Sequence, residues 1–70
     1  MQGVVRVYDP PTGIGVIVRD DDRSDVYLRP GSLKGSMFRM LRQGQRVQFD
    51  LSEDEGTPFA ANLRFGSDGY

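Results

Sequence analysis

Cysteine, histidine and tryptophan are all absent from this 70-residue sequence. Without cysteine and histidine, the chain has no zinc site of the usual type, no thiol nucleophile and no histidine general base. These absences exclude most enzyme mechanisms. We therefore predict that the protein has no catalytic residues, no cofactor, no metal site and no small-molecule substrate.

Long apolar runs are absent as well, and the first residues, Met1 to Gly3, form neither the charged nor the apolar region of a signal peptide. We therefore expect no membrane association and a cytoplasmic location.

A strong excess of one charge is also missing, because nine Lys and Arg residues are offset by ten Asp and Glu residues to give a net charge of −1. The overall basic charge that is typical of a strong nucleic-acid binder is therefore not present.

The charged residues are distributed unevenly along the chain. The acids cluster in residues 20–22 and 53–55, whereas the arginines are spread singly. Acidic clusters between predicted strands indicate solvated turns, and we expect them to leave the strands free to present a positive stripe. A calcium loop is not indicated at residues 20–25, because the spacing lacks the required Gly and terminal Glu.

Five short segments rich in β-branched and aromatic residues are separated by Gly, Pro, Asp and Ser, a pattern typical of an all-β sandwich or barrel. The predicted strands span residues 3–9, 14–19, 25–29, 45–52 and 58–65. A chain of this length has room for one domain with a single small core. We place that domain at residues 1–65 and expect a frayed tail at residues 66–70.

Alternating side chains in the third and fourth predicted strands indicate which positions face the core. The predicted inward side chains are Val26, Leu28, Val47, Phe49 and Leu51. Tyr27 and Arg29 alternate with the inward pair of the third strand, so we predict that they point outward.

The connection at residues 30–44 is long for so small a domain, and such connections are often functional or locally ordered. It carries apolar residues, among which Phe38 and Leu41 have the spacing of one helical turn. We expect Leu41 to cap the barrel and Phe38 to be exposed to a ligand.

Alternation in the second predicted strand assigns its aliphatic residues to the core. Ile14, Val16 and Val18 occupy alternate positions, and three aliphatic residues in this pattern usually face inward.

The preceding turn, residues 9–13, contains two prolines and ends in Gly13, which can adopt a positive φ. The turn therefore indicates a firm end to the first strand.

The order of these segments resembles the bacterial cold-shock proteins over nearly the whole chain. Residues 12–17, Thr-Gly-Ile-Gly-Val-Ile, fall where that family carries its first ribonucleoprotein motif, Lys-Gly-Phe-Gly-Phe-Ile. Residues 25–29, Asp-Val-Tyr-Leu-Arg, fall on its second motif, Asp-Val-Phe-Val-His. Residues 41–49 and 58–63 are similar to its Leu-x-x-Gly-Gln-x-Val-x-Phe and Pro-x-Ala-x-Asn-Val segments.

The resemblance implies a small five-stranded antiparallel Greek-key β-barrel of the OB-fold type. It also implies that the barrel binds single-stranded RNA or DNA on a face of stacked aromatic residues. In this arrangement Gly15 and Ile17 point inward, and Ile14, Val16 and Val18 form an exposed apolar patch. This expectation is opposite to the one that alternation alone gives.

The ligand face implied by the resemblance is altered in this sequence. Val7 stands at the position of the family's tryptophan, and Ile14 and Val16 stand at those of two phenylalanines. Arg29 replaces a histidine, and Pro30 replaces an aromatic residue. The residues predicted to bind nucleic acid are Arg6, Val7, Tyr8, Thr12, Ile14, Val16, Tyr27, Arg29, Pro30 and Phe38.

Three aromatic rings remain on this face, and the resemblance implies that Tyr8, Tyr27 and Phe38 stack on bases. Arg6 and Arg29 are expected to engage phosphate or base. The loss of the other rings predicts binding that is weak, salt-sensitive and little dependent on sequence. The family's role further implies an RNA chaperone or a regulator of transcription or translation.

An alternative hypothesis is a protein-interaction module. The aliphatic residues Val7, Ile14 and Val16 suit protein contacts better than base stacking, and an exposed apolar patch marks an interaction site. The partner would be a second copy of the chain or a component of the transcription or translation machinery.

Overall fold

The computed structural model describes residues 1–36 and 38–66. The strands are β1 (Gln2–Asp9), β2 (Ile14–Arg19), β3 (Asp25–Leu28), β4 (Arg46–Asp54) and β5 (Thr57–Phe65). No strand end differs from its predicted position by more than two residues, and the all-β class is confirmed. No helix in the described part of the chain has the length and apolar character needed to cross a membrane.

The strands close into a barrel in the order β1, β2, β3, β5, β4. β1 pairs with β2 and β4, β2 pairs with β3, and β4 pairs with β5, all in antiparallel orientation. The remaining contact is between β3 and β5, which run parallel and pair at Tyr27 and Phe59. The predicted five-stranded barrel is therefore confirmed, and the parallel pairing is a detail that the prediction did not include.

The interior is filled by side chains from every strand and from the connection between β3 and β4. The buried residues are Val5, Ile17, Val26, Leu28, Leu33, Phe38, Leu41, Val47, Phe49, Ala60 and Leu63. No polar or charged residue is buried among those that the structure describes. Leu41 is 3% exposed, which confirms that it caps the core.

Two glycines determine the path of the chain between β1 and β2. Gly13 has a φ of 77°, and its N–H donates to the Asp9 carbonyl at 2.8 Å to close the turn. At Gly15, a Cβ atom would lie 2.6 Å from the Val7 carbonyl oxygen and 3.0 Å from Leu28 Cδ1. This Cβ position points at the core residue Leu28, so Gly15 faces inward, as the resemblance implied. Only glycine permits so close an approach of the two strands.

The prediction that Leu51 lies in the core is wrong, because its side chain is 41% exposed. The pairing of β4 with β5 changes register between Gln48 and Asp50, and Asn62 on β5 has a φ of 53°. The Asn62 side-chain N–H donates to Asp50 Oδ2 at 2.9 Å across this bulge. The bulge lies where the buried part of β4 ends, because Phe49 is the last buried residue of this strand and residues 50–54 are exposed.

The first part of the connection between β3 and β4, residues 30–35, forms turns. The backbone N–H groups of Ser32, Lys34 and Ser36 each donate to the carbonyl three residues earlier, at 2.9–3.0 Å. The helical turn suggested by the spacing of Phe38 and Leu41 does not form.

The barrel extends by one residue into the segment predicted to be a frayed tail. Gly66 is buried, and its N–H donates to the Arg46 carbonyl at 3.1 Å. Gly66 therefore belongs to the barrel. The rest of the predicted tail, residues 67–70, lies outside the described residues.

Leu63 and Leu51 provide a matched pair for testing this core, since they are 3% and 41% exposed on neighbouring strands. We expect Leu63→Ala to lower the free energy of unfolding by about 2–5 kcal/mol. Leu51→Ala should change it by less than about 1 kcal/mol, because a surface truncation removes few contacts. Urea denaturation followed by circular dichroism measures both changes. Similar losses in the two variants would place Leu51 in the core after all.

Candidate nucleic-acid interface

Outward side chains from four strands line up across one face of the barrel. Val7 pairs with Val16, Val16 pairs with Tyr27, and Tyr27 pairs with Phe59, so these residues lie side by side on β1, β2, β3 and β5. Val7 is 50% exposed and Tyr27 is 39% exposed, whereas Val16 and Phe59 are half-buried. We call these four residues the apolar row.

Ile14 extends this surface beside the apolar row. Its side chain is 54% exposed, and together with Arg29, Pro30 and Phe59 it lines a shallow groove of about 490 Å³. The outward placement of Ile14 and Val16 implied by the resemblance is therefore confirmed, and the core assignment from alternation is wrong. The reason is that the glycine between them takes the inner position.

Tyr8 is half-buried and packs against the hydrophobic core. Its Cδ1 atom lies 3.2 Å from the position that a Cβ on Gly15 would occupy, so the ring covers the inner glycine. Part of the ring is committed to this packing. The stacking role expected of Tyr8 stays a prediction for the exposed part of its ring.

The expectation that Phe38 is exposed is wrong, because only 8% of this residue is accessible. Its ring packs against that of Phe65 in a T-shaped arrangement, with centroids 4.9 Å apart and an interplanar angle of 63°. An aromatic ring on a long connection is large enough to close the core, and its burial stabilises the fold. Phe65 takes the outer position and is 52% exposed. Phe38 is therefore not available to stack on bases.

Thr12 and Pro30 lie close together at one end of the face. The Thr12 hydroxyl donates to Asp9 Oδ2 at 2.7 Å and accepts from the Ile14 N–H at 3.3 Å, so it stabilises the turn between β1 and β2. Pro30 Cα lies 3.2 Å from the position that a Cβ on Gly13 would take, which brings Pro30 against the same turn. Both Thr12 and Pro30 are exposed.

The two arginines predicted to contact the ligand are exposed, and each lies near an aspartate. Arg6 Nη1 is 3.6 Å from Asp25 Oδ2, and Arg29 Nη1 is 2.8 Å from Asp54 Oδ2. Arg29 Cζ also lies 4.1 Å from the centroid of the Phe59 ring, within the range of a cation–π interaction. Arg29 is therefore held by both a carboxylate and a ring.

The positive stripe expected along the strands does not form, because aspartates pair with the strand arginines. Arg19 Nη2 is 2.7 Å from Asp21 Oδ2, and Arg46 pairs with Asp20. These aspartates lie in the turn after β2, but their side chains pair with arginines of β2 and β4. Exposed pairs of this kind add little to stability, yet they cancel the charge that a ligand would meet.

Positive charge is concentrated instead around the connection between β3 and β4. No Asp or Glu occurs between Asp25 and Asp50. Of the cationic residues in this interval, Arg29 and Arg46 pair with aspartates from outside it, and Lys34, Arg39 and Arg42 lie between them on the connection. This asymmetry is visible in the sequence when each connection is counted separately, although the total net charge conceals it.

Phe59 belongs to the apolar row but is not among the residues predicted from the sequence to bind nucleic acid. It occupies an unspecified position in the family segment at residues 58–63. An aromatic residue next to an inward-facing Ala60 points outward by alternation, so one signal for Phe59 was available. Its position beside Tyr27 was not available, because it depends on the parallel register of two distant strands.

The three consecutive aspartates after β2 form a solvated turn, as predicted. Arg19 donates to Asp21 from Nε at 3.0 Å and from Nη2 at 2.7 Å, which lowers the pKa of Asp21. Asp22 Oδ1 accepts from the Ser24 hydroxyl at 2.7 Å and from its N–H at 2.9 Å, which lowers the pKa of Asp22. Within the described part of the chain, no group of three or more acidic side chains is arranged to hold a metal ion.

A small closed barrel that presents one apolar outer face is the architecture of an OB-fold ligand-binding domain. A family model described as the 'Cold-shock' DNA-binding domain matches residues 1–65. This chain belongs to the cold-shock domain family, whose members generally bind nucleic acid.

Individual relatives agree with this assignment. The chain is 35% identical over 63 residues to the Cold shock-like protein of Aquifex aeolicus (strain VF5), with 90% of each chain covered. It is 32% identical over 63 residues to the Cold shock-like protein CspG of Escherichia coli (strain K12), again with 90% of each covered. It is also 32% identical to the Probable cold shock protein A of Mycolicibacterium smegmatis, with 90% of this chain and 94% of that relative covered.

The lowered pKa of Asp21 makes the stability of the barrel sensitive to acid. A carboxylate whose pKa is lower in the folded than in the unfolded protein stabilises the fold above its unfolded pKa, about 3.9 for Asp. That contribution is lost as the pH falls through the folded value. We expect the urea midpoint to decrease by a small amount as the pH falls below about 5, and to decrease less in Asp21→Asn, since the ion pair is exposed. Equal decreases in the parent and the variant would contradict the lowered pKa.

Proposed function

We propose that this protein binds single-stranded RNA or DNA across the apolar row and catalyses no reaction on it. The observation that supports this most directly is the register of Val7, Val16, Tyr27 and Phe59, which aligns outward apolar side chains on four strands. Unpaired bases stack on aromatic rings, and each stacked base contributes about 1–3 kcal/mol. In the row, Tyr27 offers an exposed ring for stacking, and the other three members offer apolar contact.

The composition of the face supports weak binding. Val7 and Val16 contact a base without the stacking that an aromatic ring provides. The charge of Arg29 is already paired with Asp54, which reduces the electrostatic attraction for phosphate. We therefore propose an affinity below that of a barrel with a complete aromatic face, little preference for sequence, and a salt dependence carried mainly by the basic connection between β3 and β4.

The proposed cellular role is that of an RNA chaperone, or of a regulator of transcription or translation that acts by holding single strands open. A sequence-tolerant stacking surface supports this role, because every base has an aromatic face that it can engage. Single-stranded nucleic acid of this kind is found in the cytoplasm, and we place the protein there.

Tyr27 is the ring whose loss should weaken binding most, because it is exposed and lies between Val16 and Phe59 in the row. We expect Tyr27→Ala to weaken the binding of a pyrimidine-rich hexanucleotide by about 1–3 kcal/mol, or roughly 5- to 150-fold. Tyr27→Phe should retain most of the affinity, since it keeps the ring. Fluorescence anisotropy of a labelled oligonucleotide at low salt measures both variants.

Leu51→Ala is the matched control for Tyr27→Ala, because it removes an exposed apolar side chain that is not part of the row. Its affinity should equal that of the parent. The proposal fails if the parent binds no single-stranded oligonucleotide at low salt. It also fails if Tyr27→Ala and Leu51→Ala bind equally well.

A protein-interaction module is the second candidate, and the exposure of two aliphatic residues favours it. Val7 is 50% exposed and Ile14 is 54% exposed on adjacent strands. Apolar side chains of this kind are typical of the buried centre of a protein interface. The proposed partner is a second copy of this chain.

Self-association through this face should be weakened by Ile14→Glu, because the interface would then bury an unpaired charge. Sedimentation velocity at rising concentration should show the parent shifting from monomer to dimer, while Ile14→Glu remains a monomer. Leu51→Glu adds the same charge elsewhere on the surface and should dimerise like the parent. A parent that stays monomeric at every concentration would rule out this second candidate.

A further inference from the structure

Arg29 is held in place by contacts with three residues. Its backbone N–H donates to Ser32 Oγ at 2.8 Å, and the Ser32 hydroxyl donates to the Arg29 carbonyl at 2.7 Å. Its Nη1 donates to Asp54 Oδ2 at 2.8 Å. Its Cζ lies over the Phe59 ring, 4.1 Å from the centroid. These contacts fix the backbone, the charged group and one face of a side chain that otherwise rotates freely.

The two groups that hold the guanidinium both come from the β4–β5 hairpin. Asp54 is the last residue of β4 and pairs with Thr57 on β5. Phe59 follows Thr57 by two residues, so both point to the same side of β5, and both line the groove beside Arg29. We call Arg29, Asp54 and Phe59 the arginine clamp.

The arginine clamp leaves part of the guanidinium accessible to a ligand. The Arg29 side chain is 48% exposed, and the Asp54 side chain is 57% exposed. The Phe59 ring covers one face of the planar group. Guanidinium planes stack on nucleobases as well as on aromatic side chains, so the uncovered face is suited to a base.

The charge of the clamp favours a base over a phosphate. An exposed arginine normally attracts phosphate, and each such contact releases counterions from the nucleic acid. A phosphate approaching Arg29 meets a guanidinium that is already neutralised, and it would have to displace the Asp54 carboxylate or lie beside its negative charge. A neutral base stacked on the guanidinium meets neither obstacle.

We propose, as an extension that rests on the proposed function, that Asp54 makes Arg29 a base-stacking residue instead of a phosphate-binding one. Asp54 acts as a positioning residue that neutralises and orients the guanidinium. Phe59 supports the guanidinium from one side, and a nucleobase stacks on the other. The groove beside the clamp is thus a base subsite at the end of the apolar row.

Asp54→Asn tests this role, because it keeps the shape of the side chain and releases the charge of Arg29. We expect the plot of log affinity against log salt for a single-stranded hexanucleotide to steepen by about 0.7, the value of one added phosphate contact. Affinity at low salt should rise roughly two- to fivefold. Asp54→Glu, which keeps the charge, should retain the parent slope. Asp21→Asn removes one of the two aspartates that pair with Arg19, at the opposite end of β2, and changes the net charge by the same amount. It is the control, and we expect no change in its slope.

Two further variants connect the effect to the other members of the clamp. The double variant Arg29→Gln, Asp54→Asn should return the slope to the parent value, because the released charge is then absent. Phe59→Leu should weaken binding without changing the slope, since it removes the supporting ring and no charge.

In the free protein, NMR should show a ring-current shift of the Arg29 side-chain protons that is lost in Phe59→Leu and reduced in Asp54→Asn.

The outcomes separate this inference from the proposed function. If the parent binds but Asp54→Asn has the same slope as Asp21→Asn, the role of Asp54 is overturned and the proposed function stands. If the Arg29 protons show the same shift in the parent and in Phe59→Leu, the clamp itself is overturned. If the parent binds no single-stranded oligonucleotide, both proposals are overturned.

Discussion

The placement of every outward residue on β2 depends on the close contact between β1 and β2 at Gly15. A Cβ atom at this position would lie 2.6 Å from the Val7 carbonyl oxygen, well inside van der Waals contact. Because the position that faces inward here must be a glycine, Ile14 and Val16 face outward, and Ile17 is fully buried. The apolar row therefore follows from a steric constraint of the backbone, since aliphatic side chains on their own would favour the core.

Local patterns were sufficient to predict the strands and part of the core. The end of β1 follows from its turn residues, since Gly13 adopts the positive φ that the turn requires. The inward positions of β3 follow from alternation, and Val26 and Leu28 are both buried. Alternation alone gave the wrong orientation for β2, where the close approach of a second strand decides. The resemblance to a family supplied that information.

The remaining errors occur where the surroundings of a residue depend on a distant part of the chain. Leu51 lies beyond the bulge at Asn62 on the neighbouring strand, in the part of β4 that has no buried residue. Phe38 is buried at the end of the barrel, where Phe65 packs against it. Phe59 joins the apolar row through a parallel pairing that no local pattern encodes. The outward orientation of the site was therefore predictable, but its set of aromatic rings was not.

The exposed end of β4, beyond the bulge, gives the candidate ligand face two regions that we expect to differ in stability. Residues 50–56 beyond the bulge are all exposed, so few buried contacts hold the tip of this hairpin. Segments of this kind open locally at a lower free energy than the whole domain unfolds. We therefore expect the segment that contains Asp54 to open at a lower free energy than the strand of Tyr27. A ligand that spans both regions must order the hairpin tip, and the entropy lost in doing so becomes part of its affinity.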